Sequence, residues 1–441
     1  MSDPVAFLHE LEFRDIPEHA IDNAIRGLTD TIGVAIAGST TRLSKIIHNH
    51  AARQFAAGGN GGARLWQDGR KVSATGAALA NGMTIDAVDG HDGYKPAKGH
   101  VACGLLAGLL AITESENVTD VETFLTALVA GYEVGSRAGV ALHGTVSDYH
   151  TSGAWIAPTV AGVASRVMGL NFVQLREAIG IAEYHGPRSQ MMRTIDHPTM
   201  VKDGSGWGAM AGISAAYLAA DGFTGAPAVS FEHEDAAPYW ADLGKTWLIG
   251  QQYIKLYPVC RWAQPPIEAA LNLINDHDID HRQIARVDVI TFHEAARLAT
   301  RHPKTTEEAQ YSLPYSVAAA IVHGTVGAEH VADEALNEPV ASGIRERIVM
   351  GEADEFNAAF PQFRRARVLI ELTSGKRYES PPTEAKGDPE NPVGNDVICE
   401  KFMTLSKPVI GEERSRQLLH RLQNLPGETS ISTLLNDLSQ A

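Results

Sequence analysis

Residues Ile16 to Ser39, which read IPEHAIDNAIRGLTDTIGVAIAGS, carry a regular pattern of apolar side chains. The i, i+3, i+4 spacing of one helix face places apolar residues at Ile21, Ala24, Ile25, Leu28, Ile32 and Ala35. Pro17 stands where the first turn of a helix accepts proline, and Gly38 stands where a helix ends. The segment therefore predicts a long amphipathic helix.

Helical spacing continues along the chain to about residue 270. Further helices are predicted at Lys71 to Val88, Val101 to Glu114, Val121 to Leu142, Ala154 to Met168, Phe172 to Glu183 and Gly206 to Ala220. Alanine, glycine and leucine are abundant, whereas aromatic residues make up only 7% of the chain. This composition favours closely packed helices over a β-sandwich.

The pattern changes after Gln264-Pro265-Pro266. Residues Arg286 to Glu294 alternate apolar and polar side chains, which is typical of a half-buried strand. Residues Ala366 to Ser380 predict a β-hairpin that turns at Ser374-Gly375. Helices are predicted between these strands, near Tyr315 to His323 and Ile344 to Met350, and again in the tail from Glu400.

These elements predict a mainly α protein, in which a large all-helical domain is formed from both chain ends and carries an inserted α+β domain. The expected boundaries are residues 1–266 for the first helical part, 267–397 for the α+β domain and 398–441 for the helical return. A chain of 441 residues is long enough for more than one such unit.

The net charge of −16 argues against nonspecific binding to nucleic acid or anionic membranes, because both need basic surfaces. The longest apolar run, Val101 to Ile112, is too short for a bilayer span, which takes ~20 residues. Three widely separated cysteines fit a reduced compartment, and the N-terminus shows no apolar signal core. We expect a soluble cytoplasmic protein that binds neither nucleic acid nor a membrane.

Residues Asp86 to Gly104, DAVDGHDGYKPAKGHVACG, concentrate polar side chains in a stretch that cannot form one continuous helix. Its glycines and Pro96 favour a loop over residues 89–99, and a new helix is expected from about His100. A helix N-terminus attracts anions, and Lys98 adds positive charge beside it. The stretch therefore predicts an anion-binding segment.

The acidic residues and the second histidine of this stretch allow three interpretations. Asp89 and Asp92 can orient a catalytic histidine or lysine and tune its pKa. The same residues also fit a solvated polar loop. A metal site formed by Asp89, His91, Asp92 and His100 is the third interpretation, but their spacing fits no familiar set of metal ligands, and we expect no metal.

A second polar segment runs from His185 to Gly212. Gly204, Gly208 and Gly212 recur every four residues, and small residues on one helix face let another helix approach closely. Lys202 stands at the expected start of that helix, where a positive charge opposes the helix dipole. Helix stability does not favour a lysine there, so the sequence predicts a bound carboxylate.

Other polar residues stand beside predicted helices or at the junction of the two predicted domains. They are Tyr149, His150, Lys255, Arg261 and Tyr315, and each taken singly is more often structural than functional. The sequence contains no dinucleotide fingerprint, Walker A motif, serine-hydrolase elbow, paired-cysteine motif or HExxH motif. Redox, nucleotide-dependent and serine-hydrolase functions therefore lack their usual signatures.

Taken together, these segments resemble the MmgE/PrpD family over nearly the whole chain. The resemblance is carried by DTIGVAIAG (30–38), VDGHDG with the following KGH (88–100), the 202–212 segment, YPVCRW (257–262), AQYSLPY (309–315) and KGDPENP (386–392). The family includes 2-methylcitrate dehydratase, cis-aconitate decarboxylase and iminodisuccinate epimerase. The resemblance implies a homodimer without metal or organic cofactor, whose active cleft lies between the helical domain and a lid resembling chorismate mutase.

By motif, the resemblance implies site roles for Asp89, His100, His150, Lys202 and Tyr315. One position departs from the family pattern: this chain has Ala263-Gln264 where the dehydratases and decarboxylases carry a Thr-His pair. Glutamine can hydrogen-bond a carboxylate, but it cannot exchange a proton. Mechanisms that depend on that histidine are therefore not expected here.

The shared family chemistry breaks a bond at a carbon next to a carboxylate, and cations must stabilise the resulting negative charge. The predicted catalytic residues are His100, Lys98, Tyr149, His150 and Lys202. The predicted substrate-binding residues are Asp89, His91, Asp92, Lys255, Arg261, Gln264 and Tyr315.

The expected substrate is a small polycarboxylate, and several outcomes remain open. Because Gln264 removes one proton carrier while others remain, we expect an epimerase of an iminodisuccinate-like compound. A dehydratase of 2-methylcitrate or a related tricarboxylate is the close alternative, and a decarboxylase comes third. A noncatalytic carboxylate-binding protein is the alternative from another class.

Overall fold

The computed structural model describes residues 3–58 and 61–440. The N-terminal part is helical, with a short antiparallel ribbon of β1 (Ala63–Arg64) and β2 (Lys71–Val72). Its helices are α1 (Pro4–Glu10), α2 (Glu18–Gly38), α3 (Arg42–Gln54), α4 (Ala74–Asp86), α5 (Ala102–Ser115), α6 (Val121–Thr145), α7 (Gly153–Val167), α8 (Phe172–His185), α9 (Met191–Asp196), α10 (Ser205–Ala220) and α11 (Val229–Glu232). The predicted helices are present, although the segment predicted from Lys71 begins as strand β2.

Side-chain caps set the starts of several of these helices. Ser73 accepts a hydrogen bond from the Gly76 amide at the start of α4, and Asp120 accepts one from Thr123 at the start of α6. Such caps satisfy amides that have no partner within the first turn. They explain why α4 begins after the β2 strand.

Helices α7 and α10 pack together through the predicted glycine face. A Cβ atom built at Gly208 would lie 2.6 Å from the carbonyl oxygen of Gly153, and one at Gly212 would lie 2.6 Å from that of Ala157. Both separations are shorter than a carbon atom tolerates, so only glycine fits. This close approach holds the turn before α10, which contains Lys202, against the start of α7.

The C-terminal part combines helices with one sheet. It contains α12 (Gln264–His277), β3 (Ile284–Thr291), α13 (His293–Ala296), α14 (Thr306–Gln310), α15 (Leu313–His323), α16 (Pro339–Arg345), β4 (Ile348–Glu352), α17 (Asp354–Ala359), β5 (Arg367–Leu372) and β6 (Arg377–Glu379). The strand order is β4-β3-β5-β6, in which β3 pairs parallel with β4 and antiparallel with β5. The predicted hairpin is confirmed as β5 and β6, and Gly375 adopts φ +84° at its turn.

The helix predicted at Ile344 to Met350 is wrong. Helix α16 ends at Arg345, and strand β4 begins at Ile348 and pairs with Val287 of β3. Ile348 is buried, whereas Val349 is 41% exposed, so the side chains alternate as in a half-buried strand. Five residues are too few to show whether an apolar run has helical or strand period, and pairing with β3 decides the outcome.

The chain then returns to the helical part through α18 (Asn395–Ile410), α19 (Glu412–Gln423) and α20 (Ser432–Ser439). Phe402 of α18 packs against Gly33 of α2. Beside it, the buried ammonium of Lys401 donates to Asp30 Oδ1 at 2.6 Å and to the Gly90 carbonyl oxygen at 2.7 Å. The last helices thus contact the loop that follows α4.

Two large hydrophobic clusters lie on either side of this loop. One joins the N-terminal helices to the returning helices, and the other joins the sheet to α12, α15 and the apolar side of α9. The fold is therefore mainly α with an α+β part. The domain boundaries drawn from the sequence and the likeness of the α+β part to chorismate mutase stay predictions.

Within the described ranges, every helix is too short or too polar to serve as a membrane span.

Gly212→Ala is expected to lower the free energy of unfolding by about 1–3 kcal/mol, because its methyl group overlaps the backbone of α7. Gly343→Ala is the matched control, since Gly343 lies within α16 and nothing lies within 4 Å of an added Cβ. That control is expected to gain up to ~1 kcal/mol from helix propensity. Urea unfolding followed by circular dichroism measures both, and an unchanged midpoint for Gly212→Ala would contradict the close packing.

Candidate active site

Two buried lysines from distant parts of the chain lie on either side of the loop after α4. Lys255 Nζ is 2.6 Å from Asp89 Oδ1, and both side chains are buried. Lys202 Nζ donates to Gln310 Oε1 and lies 5.3 Å from the ring centre of Tyr311. A buried charge without a partner is energetically costly, so each lysine needs the partner that the structure provides. The structure thus brings Asp89, Lys202 and Lys255 together.

Three of the predicted site residues adopt left-handed backbone conformations. Asp89, Lys98 and Lys202 have φ values of 50°, 53° and 49°. For residues other than glycine, this region costs about 1–2 kcal/mol, least for Asp and Asn. Such strain persists only where the surrounding structure enforces it, and it concentrates at functional sites.

Two buried histidines pack edge to face beside these residues. The rings of His91 and His100 have centroids 4.4 Å apart, and His91 Nε2 is 3.3 Å from Asp86 Oδ1. His100 Nδ1 hydrogen-bonds the carbonyl oxygen of Asp92. Because a carbonyl oxygen only accepts, Nδ1 carries the hydrogen and Nε2 keeps its lone pair.

Both histidines are neutral near pH 7. Burial, followed by the nearby Lys255 charge, lowers the pKa of His91 to about 3. Burial, Lys255 and His91 hold the pKa of His100 well below its ordinary value. The site therefore contains uncharged imidazoles, whose free ring nitrogen can accept a hydrogen bond or a proton from a bound acid.

The carboxyl groups of the site differ in protonation. Burial alone would raise the pKa of Asp89, but Lys255 and Lys202 outweigh it and lower that pKa to about 2. Burial raises the pKa of Asp86 to about 6 and that of Asp203 to about 7; the charge of Asp89 adds to the rise at Asp86, and the charge of Asp86 adds to the rise at Asp203. Asp203 Oδ2 accepts from the Ser152 hydroxyl at 2.9 Å and lies 3.8 Å from His100 Nε2.

Asp86 and Asp203 were missed as site residues in the sequence, although both stand inside the quoted segments. Their signal was position alone: Asp86 ends α4 one turn before Asp89, and Asp203 follows Lys202. Gln310 and Tyr311 were also missed, because the AQYSLPY motif offers two tyrosines and only the three-dimensional placement separates them.

Several buried polar atoms at the site have no hydrogen-bond partner. They are Asp89 Oδ2, Asp203 Oδ1, His150 Nδ1 and Thr151 Oγ1. Buried polar atoms are nearly always paired with protein or ordered water, so such a concentration indicates space for water or a polar ligand. A cavity of about 720 Å³ opens beside Lys202 and is lined by Thr151, His185, Arg193 and His197, among others.

Tyr149, Lys98 and His150 form an outer group. The Tyr149 hydroxyl donates to the Lys98 carbonyl oxygen at 2.7 Å, and Lys98 Nζ lies 4.8 Å from the centre of the Tyr149 ring. The His150 amide donates to His143 Nε2 at 3.1 Å. His143, which the sequence analysis did not select, therefore positions the segment that carries His150.

Three predicted site residues are engaged elsewhere. Asp92 accepts from the Tyr132 hydroxyl at 2.7 Å, and burial raises its pKa to about 7. The buried guanidinium of Arg261 pairs with Asp388. The Tyr315 hydroxyl donates to the His330 carbonyl oxygen at 2.7 Å, inside the C-terminal part. The site roles expected for these residues stay predictions, and Tyr311 occupies the place beside Lys202.

Gln264 uses its amide group to hold the backbone. Its Nε2 donates to the carbonyl oxygens of Tyr257 at 2.7 Å and Val259 at 3.2 Å. The remaining Oε1 is buried without a partner and can only accept. In this arrangement Gln264 offers no donor to a substrate carboxylate.

Asp86, His91 and Cys103 place potential metal-ligand atoms within 4.8 Å of one another. Their chemistry does not suit a cation, because burial, followed by the charge of Asp86, raises the pKa of the Cys103 thiol, which donates to Gly82. Lys202 and Lys255 both act on Asp86. Of the four residues that the sequence offered as metal ligands, Asp89 pairs with Lys255 and Asp92 accepts a hydrogen bond from Tyr132, so both carboxylates already have partners. The expectation of no metal and no organic cofactor stays a prediction.

Comparison with known proteins identifies the family of the chain. Residues 5–244 match the MmgE/PrpD N-terminal domain, and residues 257–425 match the MmgE/PrpD C-terminal domain. The chain is 25% identical to the cis-aconitate decarboxylase-like protein oryM of Aspergillus oryzae, over 97% of this chain and 94% of that protein.

Two further relatives are similar along their whole length. The cis-aconitate decarboxylase of Aspergillus terreus is 23% identical over 96% of this chain and 93% of its own length. The cis-aconitate decarboxylase of Homo sapiens is 23% identical over 97% of this chain and 92% of its own length. Matches to both family domains in their order show that the chain belongs to the MmgE/PrpD family of enzymes.

Proposed function

We propose that this protein is a cofactor-independent lyase that uses acid–base chemistry at a carbon next to a carboxylate of a small polycarboxylate. The observation that carries the proposal is the juxtaposition of Lys202 and Lys255 with the neutral imidazoles of His91 and His100. The relatives are named cis-aconitate decarboxylases or, in one case, a cis-aconitate decarboxylase-like protein, and these names favour a lyase.

The two lysines supply the electrostatic part of this mechanism. When a bond next to a carboxylate breaks heterolytically, the electron pair left on carbon spreads onto the carboxylate oxygens. Preorganised cations stabilise that charge most strongly in a site that excludes water. Lys255 remains charged, because Asp89 outweighs the effect of burial and raises its pKa.

His100 and Asp203 supply the proton transfers. The lone pair at His100 Nε2 accepts a proton, and Asp203, protonated because burial raises its pKa, donates one. In a decarboxylation, CO₂ leaves and a proton is added to the carbanion. In a dehydration, one group removes the α-proton and the other protonates the departing hydroxyl. One acceptor beside one donor serves either reaction.

An epimerase of an iminodisuccinate-like compound, the outcome favoured by the sequence, becomes the second candidate. Gln264 supports it, because a proton carrier of the lyases is replaced by an amide. His100 and Asp203 compensate for that loss, so the replacement does not require epimerisation. We also propose, as expected from the family resemblance, that the protein is a cytoplasmic homodimer and that its α+β part forms a lid resembling chorismate mutase.

Turnover of cis-aconitate, citrate, 2-methylcitrate and iminodisuccinate stereoisomers is followed by NMR in D₂O. A lyase is expected to give a product with one carboxylate fewer, or a new alkene signal. Deuterium at the α-carbon with inverted configuration would select the epimerase. Thermal stabilisation by these acids without turnover or exchange would contradict the enzyme and select a noncatalytic binding protein.

Lys202→Ala and Lys202→Gly are both expected to lower kcat by ~10²-fold or more, because each removes the ammonium group. The glycine variant is expected to be the more stable by about 1 kcal/mol, since glycine adopts φ 49° without strain. Asn117→Gly is the control, because Asn117 has φ 54° on an exposed turn. It should leave kcat unchanged. Full activity in both Lys202 variants would refute the electrostatic role.

Asp203→Asn is expected to lower kcat by ~10²-fold with little change in KM, because the amide keeps the shape but not the acidic proton. Parent activity should fall as pH rises through the raised pKa of Asp203, and the variant should lack that fall. Asp196→Asn is the control, since Asp196 pairs with Arg297 on the surface. A parent-like pH profile in Asp203→Asn would contradict its role as the acid.

A further inference from the structure

Among the residues that the structure describes, Arg364 is a buried arginine without a carboxylate partner. It lies just before β5, its side chain is 4% exposed, and its Nε has no hydrogen-bond partner. Its guanidinium lies 5.8 Å from the ring centre of Tyr253. A buried charge is normally paired, because removing an unpaired charge from water is energetically costly. Arg364 therefore lacks a counter-ion that its surroundings call for.

Lys98 faces the same place from the helical part of the chain. Burial, and then the charge of Arg364, lowers the pKa of Lys98, and the opposing effect of Glu294 is smaller. Within residues 3–58 and 61–440, neither Lys98 nor Arg364 forms an ion pair with a carboxylate. The charge of Arg364 thus acts on Lys98, and in the described part of the chain no carboxylate lies within ion-pair distance of either residue.

Neighbouring arginines show the usual pattern. Arg261, whose Cζ lies 4.5 Å from the centre of the Tyr253 ring, pairs with Asp388. Arg365, the next residue after Arg364, is 2.7 Å from Glu384. The missing partner is therefore a property of the Lys98 and Arg364 location and not of this region in general.

Two tyrosines connect this location to the reacting groups. The Tyr253 ring lies 6.2 Å from the ring of His100. The Tyr149 ring lies under Lys98, and its hydroxyl donates to the Lys98 carbonyl oxygen. An anion held by Lys98 and Arg364 would therefore lie within one small molecule's length of His100.

We infer that Lys98 and Arg364 form a carboxylate-binding subsite that holds a carboxylate of the substrate remote from the reacting carbon. The inference rests on the proposed function for the class of substrate. A carboxylate accepts two parallel hydrogen bonds from a guanidinium and a further one from an ammonium group. A substrate bound here contacts both parts of the fold, because Lys98 belongs to the helical part and Arg364 to the α+β part.

The test uses propane-1,2,3-tricarboxylate, which is saturated and lacks the hydroxyl group and alkene that the proposed reactions need. Calorimetric titration compares its Kd with that of glutarate, which has one carboxylate fewer. The parent is expected to prefer the tricarboxylate. Arg364→Gln and Lys98→Gln should each weaken tricarboxylate binding by ~10²-fold and abolish the preference over glutarate. Arg365→Gln, the matched control, should bind as the parent does.

Stability separates a binding role from a structural one. Arg364→Gln removes an unpaired buried charge, so the ligand-free variant should unfold at or above the parent's temperature. The tricarboxylate should raise the unfolding temperature of the parent and of Arg365→Gln, but not that of Arg364→Gln. If Arg364→Gln does not fold, Arg364→Lys is the substitute. It keeps the positive charge but loses the two parallel N–H donors of the guanidinium, so it should weaken tricarboxylate binding by ~10-fold.

Parent-like binding by the Arg364 variants, or no binding of the tricarboxylate by the parent, would overturn the subsite. Because this ligand is not turned over, the result does not depend on catalysis. Binding without turnover of any candidate substrate would support the subsite and refute the lyase. Turnover of a candidate substrate by the parent, together with parent-like tricarboxylate binding by Arg364→Gln, would support the lyase and refute the subsite.

Discussion

The ion pair between Asp89 and Lys255 is the contact on which the candidate active site depends. It joins the loop after α4 to the segment that leads into the α+β part, and both partners are buried. Its strength lies in mutual neutralisation, because either charge alone in this environment would be strongly unfavourable. The pair fixes the position of the loop, and the loop in turn places His91 and His100 against each other.

Several residues of the site adopt backbone conformations that are unfavourable for their residue types. Asp89, Lys98 and Lys202 are left-handed, and each precedes or follows a helix end. The α7–α10 contact through Gly208 and Gly212 supports one side of this strained region, and the buried pair supports the other. Rigid packing outside the site thus maintains geometry that local sequence preferences oppose.

Sequence patterns predicted the helices, the hairpin and the family, because these follow from apolar spacing and from motifs spread along the chain. They did not predict β4, whose identity depends on pairing with β3. In the site, charged residues in unusual positions, such as Lys202, could be selected from the sequence. Tyr311 and Arg364 could not, because only folding shows that one tyrosine of its motif and one of two adjacent arginines face the site.

The bond from Lys401 to Asp30 and Gly90 has a consequence for biosynthesis. The loop after α4 receives one of its supports from a helix that begins at Asn395, more than 300 residues later in the sequence. Contacts between residues so distant in sequence form late, because their closure costs more chain entropy. A nascent chain that has not yet extended past Lys401 therefore lacks this support, so the candidate site can be completed only after α18 has been synthesised.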